Sequence, residues 1–159
     1  MKKLTLSFED DGFIPNSRFP VLLNRKDISF RGMDTKEAEA MLKERALKVG
    51  WNQDWLWKVY KRPHYHSTTH EALVVFGGSA TLRFGGHRVG KLVKVSQGDT
   101  VVIPAGVAHQ NMGGTENFQV FGLYPVGAED YDMRFCRKWE RAITLPRLAS
   151  HEVPPDFTL

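Results

Sequence analysis

The sequence predicts an all-β domain: one antiparallel barrel or sandwich, with an N-terminal arm and one flanking α-helix. Three observations carry this. From residue 51 the apolar period shifts to two, with Trp55, Trp57 and Val59 alternating with Leu56, Lys58 and Tyr60. Runs rich in β-branched and aromatic residues then recur at short spacing, divided by glycine turns. The 159 residues are enough for a single domain with a real core.

The elements follow in order. Residues 1–54 read as an arm and a helix. Leu4, Leu6 and Phe8 alternate with polar residues as an edge strand does, and 21–23 and 28–30 read as two short extended pieces. Pro15 and Pro20 exclude a helix there. The helix spans 34–49. Asp34 is its N-cap, Glu37 closes a capping box, and Ala38, Met41, Leu42 and Val49 recur at helical spacing before Gly50 ends it. Residues 55–125 form the barrel core, with strands over 55–60, 73–76, 79–84, 89–95, 100–103 and 118–124, and a loop over 111–117. Residues 126–159 are a C-terminal extension. A short helix is expected over 130–143, and Pro146, Pro154 and Pro155 leave the last residues extended or loosely attached.

Composition narrows the function classes. The net charge of +4 permits nucleic-acid contact, but Lys and Arg are scattered. The densest basic stretch, 134–141, is interrupted by Phe135, Trp139 and Glu140, and no helix-turn-helix pattern accompanies the strands. No nucleic-acid partner is expected. No stretch approaches the roughly 18 apolar residues of a membrane span, so no membrane partner is expected either. Glu9, Asp10 and Asp11 stand where a secretion signal needs its apolar run, and the one cysteine, Cys136, forms no internal disulfide. Both point to the cytoplasm. The aromatic arm and helix suggest packing on a second copy, as a homodimer.

The chemistry lies in the histidines. Three of the six fall within RPHYHSTTHE, as His64, His66 and His70, followed by Glu71. Positions two apart on a strand share a face, so His64 and His66 can both point inward as ligands for a divalent transition metal. In QGDTVVIPAGVAHQN, a strand and a Pro-Ala-Gly turn lead to His109. The turn lets the chain re-enter the barrel and aim a third imidazole at the same point.

These two strings resemble the motifs of the cupin superfamily. The first, roughly G-x5-H-x-H-x3–4-E-x6-G, is matched by His64, His66, Glu71 and Gly78. The second, roughly G-x5-P-x-G-x2-H-x3-N, is matched by Gly98, Pro104, Gly106 and His109. Lys58 replaces the opening glycine, and Gly113 stands where the closing Asn would fall, with Asn111 nearby. The resemblance covers about residues 55–125. It implies a double-stranded β-helix (the jelly-roll barrel) and one divalent metal ion (Fe, Mn, Ni or Zn). HYHSTTHE and FEDDGFIPNSRFP also look like small bacterial cupins of the YjlB type, a narrower resemblance that implies no reaction.

The fourth ligand is open to two readings. On one straight strand His70 shares the face of His64 and His66, and Glu71 points away. The resemblance makes Glu71 the ligand, which requires a bend at Ser67 to Thr69. A carboxylate also leaves less uncompensated charge in a low-dielectric barrel than a fourth neutral imidazole, so Glu71 is favoured. His70, Gln110, Asn111 and Gln119 are then candidates for lining a substrate pocket. Tyr65, between two ligands, is expected to face away. Four protein ligands leave two octahedral positions for water, substrate or O2. The resemblance implies a metal-dependent enzyme on a small organic molecule, an Fe(II)-type oxygenase before an isomerase or lyase. The alternative it leaves is a cupin that binds a small molecule or a metal without catalysis.

Overall fold

The computed structural model describes residues 2–159. Among the described residues, nine strands form two antiparallel sheets. In chain order they are β1 (Lys3–Phe8), β2 (Ser17–Asn24), β3 (Trp51–Trp57), β4 (Glu71–Gly77), β5 (Ser79–Phe84), β6 (Lys91–Ser96), β7 (Thr100–Ile103), β8 (His109–Gly114) and β9 (Gln119–Pro125). The large sheet runs β1-β2-β7-β4-β9-β3 and the small one β6-β5-β8. Among the described residues no helix is long and apolar enough to cross a membrane.

The sheets face each other across one core. Leu73, Val75, Val101, Ile103 and Val120 of the large sheet meet Leu82, Phe84, Val93 and Val95 of the small one. The outer face of the large sheet is also covered. Helix α1 (Thr35–Lys48) packs Ala38, Leu42 and Ala46 into a cluster with Trp51, Ala72, Val74, Phe121 and Leu123. This is why strands β4 and β9 are apolar on both faces. The α1 ends match the sequence reading. Asp34 accepts from the Glu37 N–H, the Glu37 carboxylate accepts from the Asp34 N–H, and Gly50 takes the left-handed conformation (φ 84°).

The chain departs from the sequence reading in several places. Ile28 and Phe30 form no strand, yet both are buried in the cluster beneath α1. Strand β3 starts at Trp51 and stops at Trp57, and residues 58–63 leave the sheet. A helical turn α2 (Gly86–Val89) precedes β6, where a strand was expected from 89. Residues 111–114 continue β8 instead of forming a loop, because Gly113 and Gly114 lie flat against Thr81 and Ala80 of β5.

The C-terminal region differs most. A short helix was expected over 130–143, and the helix found lies later in the chain. Residues 130–137 are not helical: Arg134 forms a bridge to Tyr65 through two 2.9 Å backbone hydrogen bonds. A 3-10 turn (Lys138–Glu140) and helix α3 (Arg141–Ser150) follow, with Pro146 inside α3. The tail is tied down as well. Phe157 is buried against Trp51, whose indole N–H donates to the Asp156 carbonyl at 3.2 Å, and Arg18 donates to the His151 carbonyl at 2.7 Å.

Candidate metal centre

His64 and His66 lie on the extended segment before β4, and His109 opens β8. His64 and His109 face each other as a backbone pair, with N–H to carbonyl distances of 3.2 and 2.8 Å. The Pro104-Ala105-Gly106 turn that re-aims the chain is held by the Gly106 N–H donating to the His66 carbonyl at 2.8 Å. Gly106 has φ 95°, which a glycine adopts at little cost. The three rings converge, with their ligand nitrogens all within 4.8 Å of one another.

Each ring is oriented by a backbone carbonyl. Nδ1 of His64 contacts the Arg62 carbonyl at 2.8 Å, Nδ1 of His66 the Asp132 carbonyl at 2.5 Å, and Nδ1 of His109 the Val107 carbonyl at 3.1 Å. A carbonyl only accepts, so each Nδ1 carries the proton. In the neutral rings each Nε2 then presents a lone pair to the common centre. Burial, with His109 beside it, pushes His64 down to about 3, so that ring stays neutral at ordinary pH.

Glu71 lies beside two of these rings, and His70 lies apart from them. The chain bends at Ser67 and Thr68. Beyond the bend, Glu71 shares its face with Leu73 and Val75, which point into the barrel, and His70 shares its face with Ala72 and Val74, which point toward α1. Glu71 Oε2 lies 3.0 Å from His109 Nε2 and 3.4 Å from His66 Nε2. Burial alone would raise the Glu71 carboxyl, but His66 and His109 hold it well below the usual carboxylate range. Oε2 is buried and accepts no hydrogen bond. The three imidazoles thus gather beside one buried carboxylate oxygen. Imidazole nitrogens with a carboxylate oxygen are a donor set that suits a divalent transition metal cation.

The centre opens on a cavity of about 230 Å³, walled by Trp55, Trp57, Tyr60, Tyr124, Tyr131 and Met133. None of the four expected pocket residues lines it. His70 is locked elsewhere: its Nδ1 accepts from the Ala105 N–H and its Nε2 donates to the Glu152 carbonyl, each at 2.9 Å. Gln110 follows His109 on the opposite face and donates to the Lys61 carbonyl at 2.9 Å. Asn111 Oδ1 turns back onto the Gly113 N–H at 2.9 Å. Gln119 alternates with the inward Val120 and so faces out. Tyr65 faces away from the centre, as expected, and its hydroxyl lies 3.1 Å from that of Thr144.

Sequence reasoning missed Tyr124, Trp55, Tyr131 and Asp132. Tyr124 donates to Glu71 Oε1 at 3.0 Å, and Trp55 donates to the Tyr124 oxygen at 2.9 Å. Tyr131 stacks on Tyr124 at 4.9 Å between centroids and lies edge-on to His66 at 5.2 Å. The Asp132 carboxylate takes the N–H groups of Ser67 and Thr68 at 2.6 and 3.1 Å, and so pins the bend that turns Glu71 inward. The alternation of Val120, Gly122 and Tyr124 was the available signal for Tyr124. It was mute because Phe121 and Leu123 on the other face are equally apolar.

The family model described as Cupin matches residues 60–125. "Uncharacterized protein YjlB" of Bacillus subtilis (strain 168) is 35% identical over 151 residues, covering 94% of this chain and 86% of the relative. Among solved structures, Lactobacillus farciminis oxalate decarboxylase in its formate complex is 20% identical, with a TM-score of 0.40 over 64% of this chain and 29% of that one. Vicilin from Solanum lycopersicum (tomato) is 17% identical, with a TM-score of 0.42 over 86% and 37%. The chain spans only a minor part of these solved chains. The family match, together with the long alignment to the Bacillus relative, shows that the chain belongs to the cupin family, as a small cupin of the YjlB type.

Proposed function

We propose that His64, His66, His109 and Glu71 hold one divalent transition metal ion, and that the protein is a metal-dependent enzyme acting on a small organic molecule. Fe(II)-type oxygenase chemistry is the leading version. The observation that supports this is the convergence of three carbonyl-oriented imidazoles on a buried carboxylate oxygen that accepts no hydrogen bond. A bound divalent ion supplies Lewis acidity and open positions for exchangeable ligands. The chain's own residues do the rest. The imidazoles are held in one tautomer, and aromatic side chains wall a cavity of about 230 Å³ beside the centre, room for a small molecule.

One observation favours the alternative, a cupin that binds without turnover. The only proton-bearing hydroxyls on the cavity wall are those of Tyr60, Tyr124 and Tyr131, and Tyr124 is committed to Glu71. Two measurements separate the readings. Elemental analysis of protein purified without chelator is expected to give about one metal per chain, and His109→Ala to lose it. Oxygen consumption by the Fe(II)-loaded protein across a panel of small organic acids and phenols then supports an oxygenase, and none across the panel supports a binder. The assembly we propose is a cytoplasmic homodimer, supported by the open edges of β1 and β6. Light scattering at micromolar concentration reads the mass, and a clean monomer dismisses the dimer.

A further inference from the structure

The geometry points to Tyr124 and Trp55 as positioning residues that restrict Glu71 to one coordinating oxygen, which keeps a coordination position free for an exogenous ligand. The inference rests on the proposed metal centre.

The argument is one of hydrogen-bond direction. An indole N–H only donates, so Trp55 Nε1, 2.9 Å away, fills an acceptor site on the Tyr124 oxygen. The ionised Glu71 carboxylate only accepts, so the Tyr124 proton lies on the 3.0 Å contact to Oε1. The chain Trp55 to Tyr124 to Glu71 therefore has a single polarity. It ends by occupying Oε1 and leaves Oε2 directed at His66 and His109 without a partner. A carboxylate free to rotate could offer both oxygens to one ion and fill a position that substrate or O2 would need.

The fold builds this relay deliberately. Trp55 on β3 stands opposite Gly122 on β9, and any Cβ at 122 would fall inside the indole ring. Gly122 thus makes room for the indole to lie flat beside Tyr124, two residues further along the same face of β9. Tyr131 stacks on the other side of the phenol, at 18° between planes, and fixes its tilt. Such partners around a metal ligand typically govern affinity by about 10- to 100-fold.

The test uses Co(II) as the probe metal and azide as the exogenous ligand, with the visible spectrum as readout. Wild-type protein, Tyr124→Phe and Trp55→Phe are titrated with Co(II) and then with azide. Wild type is expected to bind Co(II) and to change its spectrum with azide. Tyr124→Phe is expected to show an altered Co(II) spectrum and azide binding weaker by about tenfold or more. Trp55→Phe is expected to fall between the two, and it decides alone if Tyr124→Phe does not fold. Identical spectra and azide affinities in the folded variants overturn the positioning role and leave the metal centre standing. A wild-type protein that takes up no Co(II) overturns both.

Discussion

At the scale of single residues, the centre is defined by which atom each side chain has left to offer. His64, His66 and His109 spend Nδ1 on a backbone carbonyl and keep Nε2, whereas His70 spends both nitrogens on the protein. The substitutions should therefore separate cleanly. His64→Ala and His109→Ala are expected to abolish metal binding by titration calorimetry while leaving the fold intact. His70→Ala is expected to keep the metal but lose about 1–3 kcal/mol in urea unfolding, because the Ala105 N–H is left buried without an acceptor. Metal loss in His70→Ala would reverse the assignment of the fourth ligand. Cys136 provides a separate check on burial, which together with Glu140 pushes its thiol up to about 12. It is expected to react with a thiol reagent at pH 8 far more slowly in the folded protein than in denaturant. The three histidine positions were legible because spacing on an extended chain fixes a face. Strand periodicity alone points to His70 over Glu71, because the reversal depends on a bend whose anchor, Asp132, lies 65 residues from Ser67.

At the scale of elements, the segment 130–134 is the part of the centre that sequence periodicity could not show. A helix was expected over 130–143. Instead the chain runs extended past the barrel mouth, because its backbone pairs with Tyr65 and its Asp132 carboxylate collects the bend. Such pairing is non-local, and no local pattern encodes it. Burial opposes ionisation of Asp132, but donors on Ser67 and Arg134 hold its carboxyl down to about 2. Asp132→Ala removes the acceptor for all of these donors at once. It is expected to cost about 2–4 kcal/mol, judged from the strength of charge-assisted bonds and the donors left unpaired. It should also weaken metal binding, because the carboxylate pins the inward turn of Glu71 and fixes the segment whose backbone carbonyl orients His66. Asp132→Asn keeps one carbonyl oxygen for the Ser67 and Thr68 N–H groups and should lose clearly less on both counts. Equal losses in the two variants would mean that the pinned bend is not what supports the centre. Helix α1 is the opposite case: its capping box and its apolar stripe are local, and so both were legible.

At the scale of the whole molecule, the proposed ligands come from both sheets and from the segment before β4. Glu71 belongs to the large sheet, His109 to the small one, and His64 and His66 to the segment that links β3 to β4 and pairs with His109. A metal ion held by all four would cross-link both sheets at one end of the barrel. Elsewhere the two sheets meet through the shared core, which holds Leu82, Val93 and Val95 of the small sheet and Val75 and Val120 of the large one. Unfolding separates the four ligands, so the native state binds the ion and the unfolded chain does so only weakly. At a free metal concentration 100 times the dissociation constant, that linkage contributes about 2.7 kcal/mol. For a chain of this length each kcal/mol moves the melting temperature by about 2–4 °C. Thermal unfolding with saturating metal and with a chelator should therefore differ by about 5–11 °C. His109→Ala should melt at the same temperature in both. A wild-type protein that binds one metal per chain yet melts identically with and without it would place the ion outside this junction.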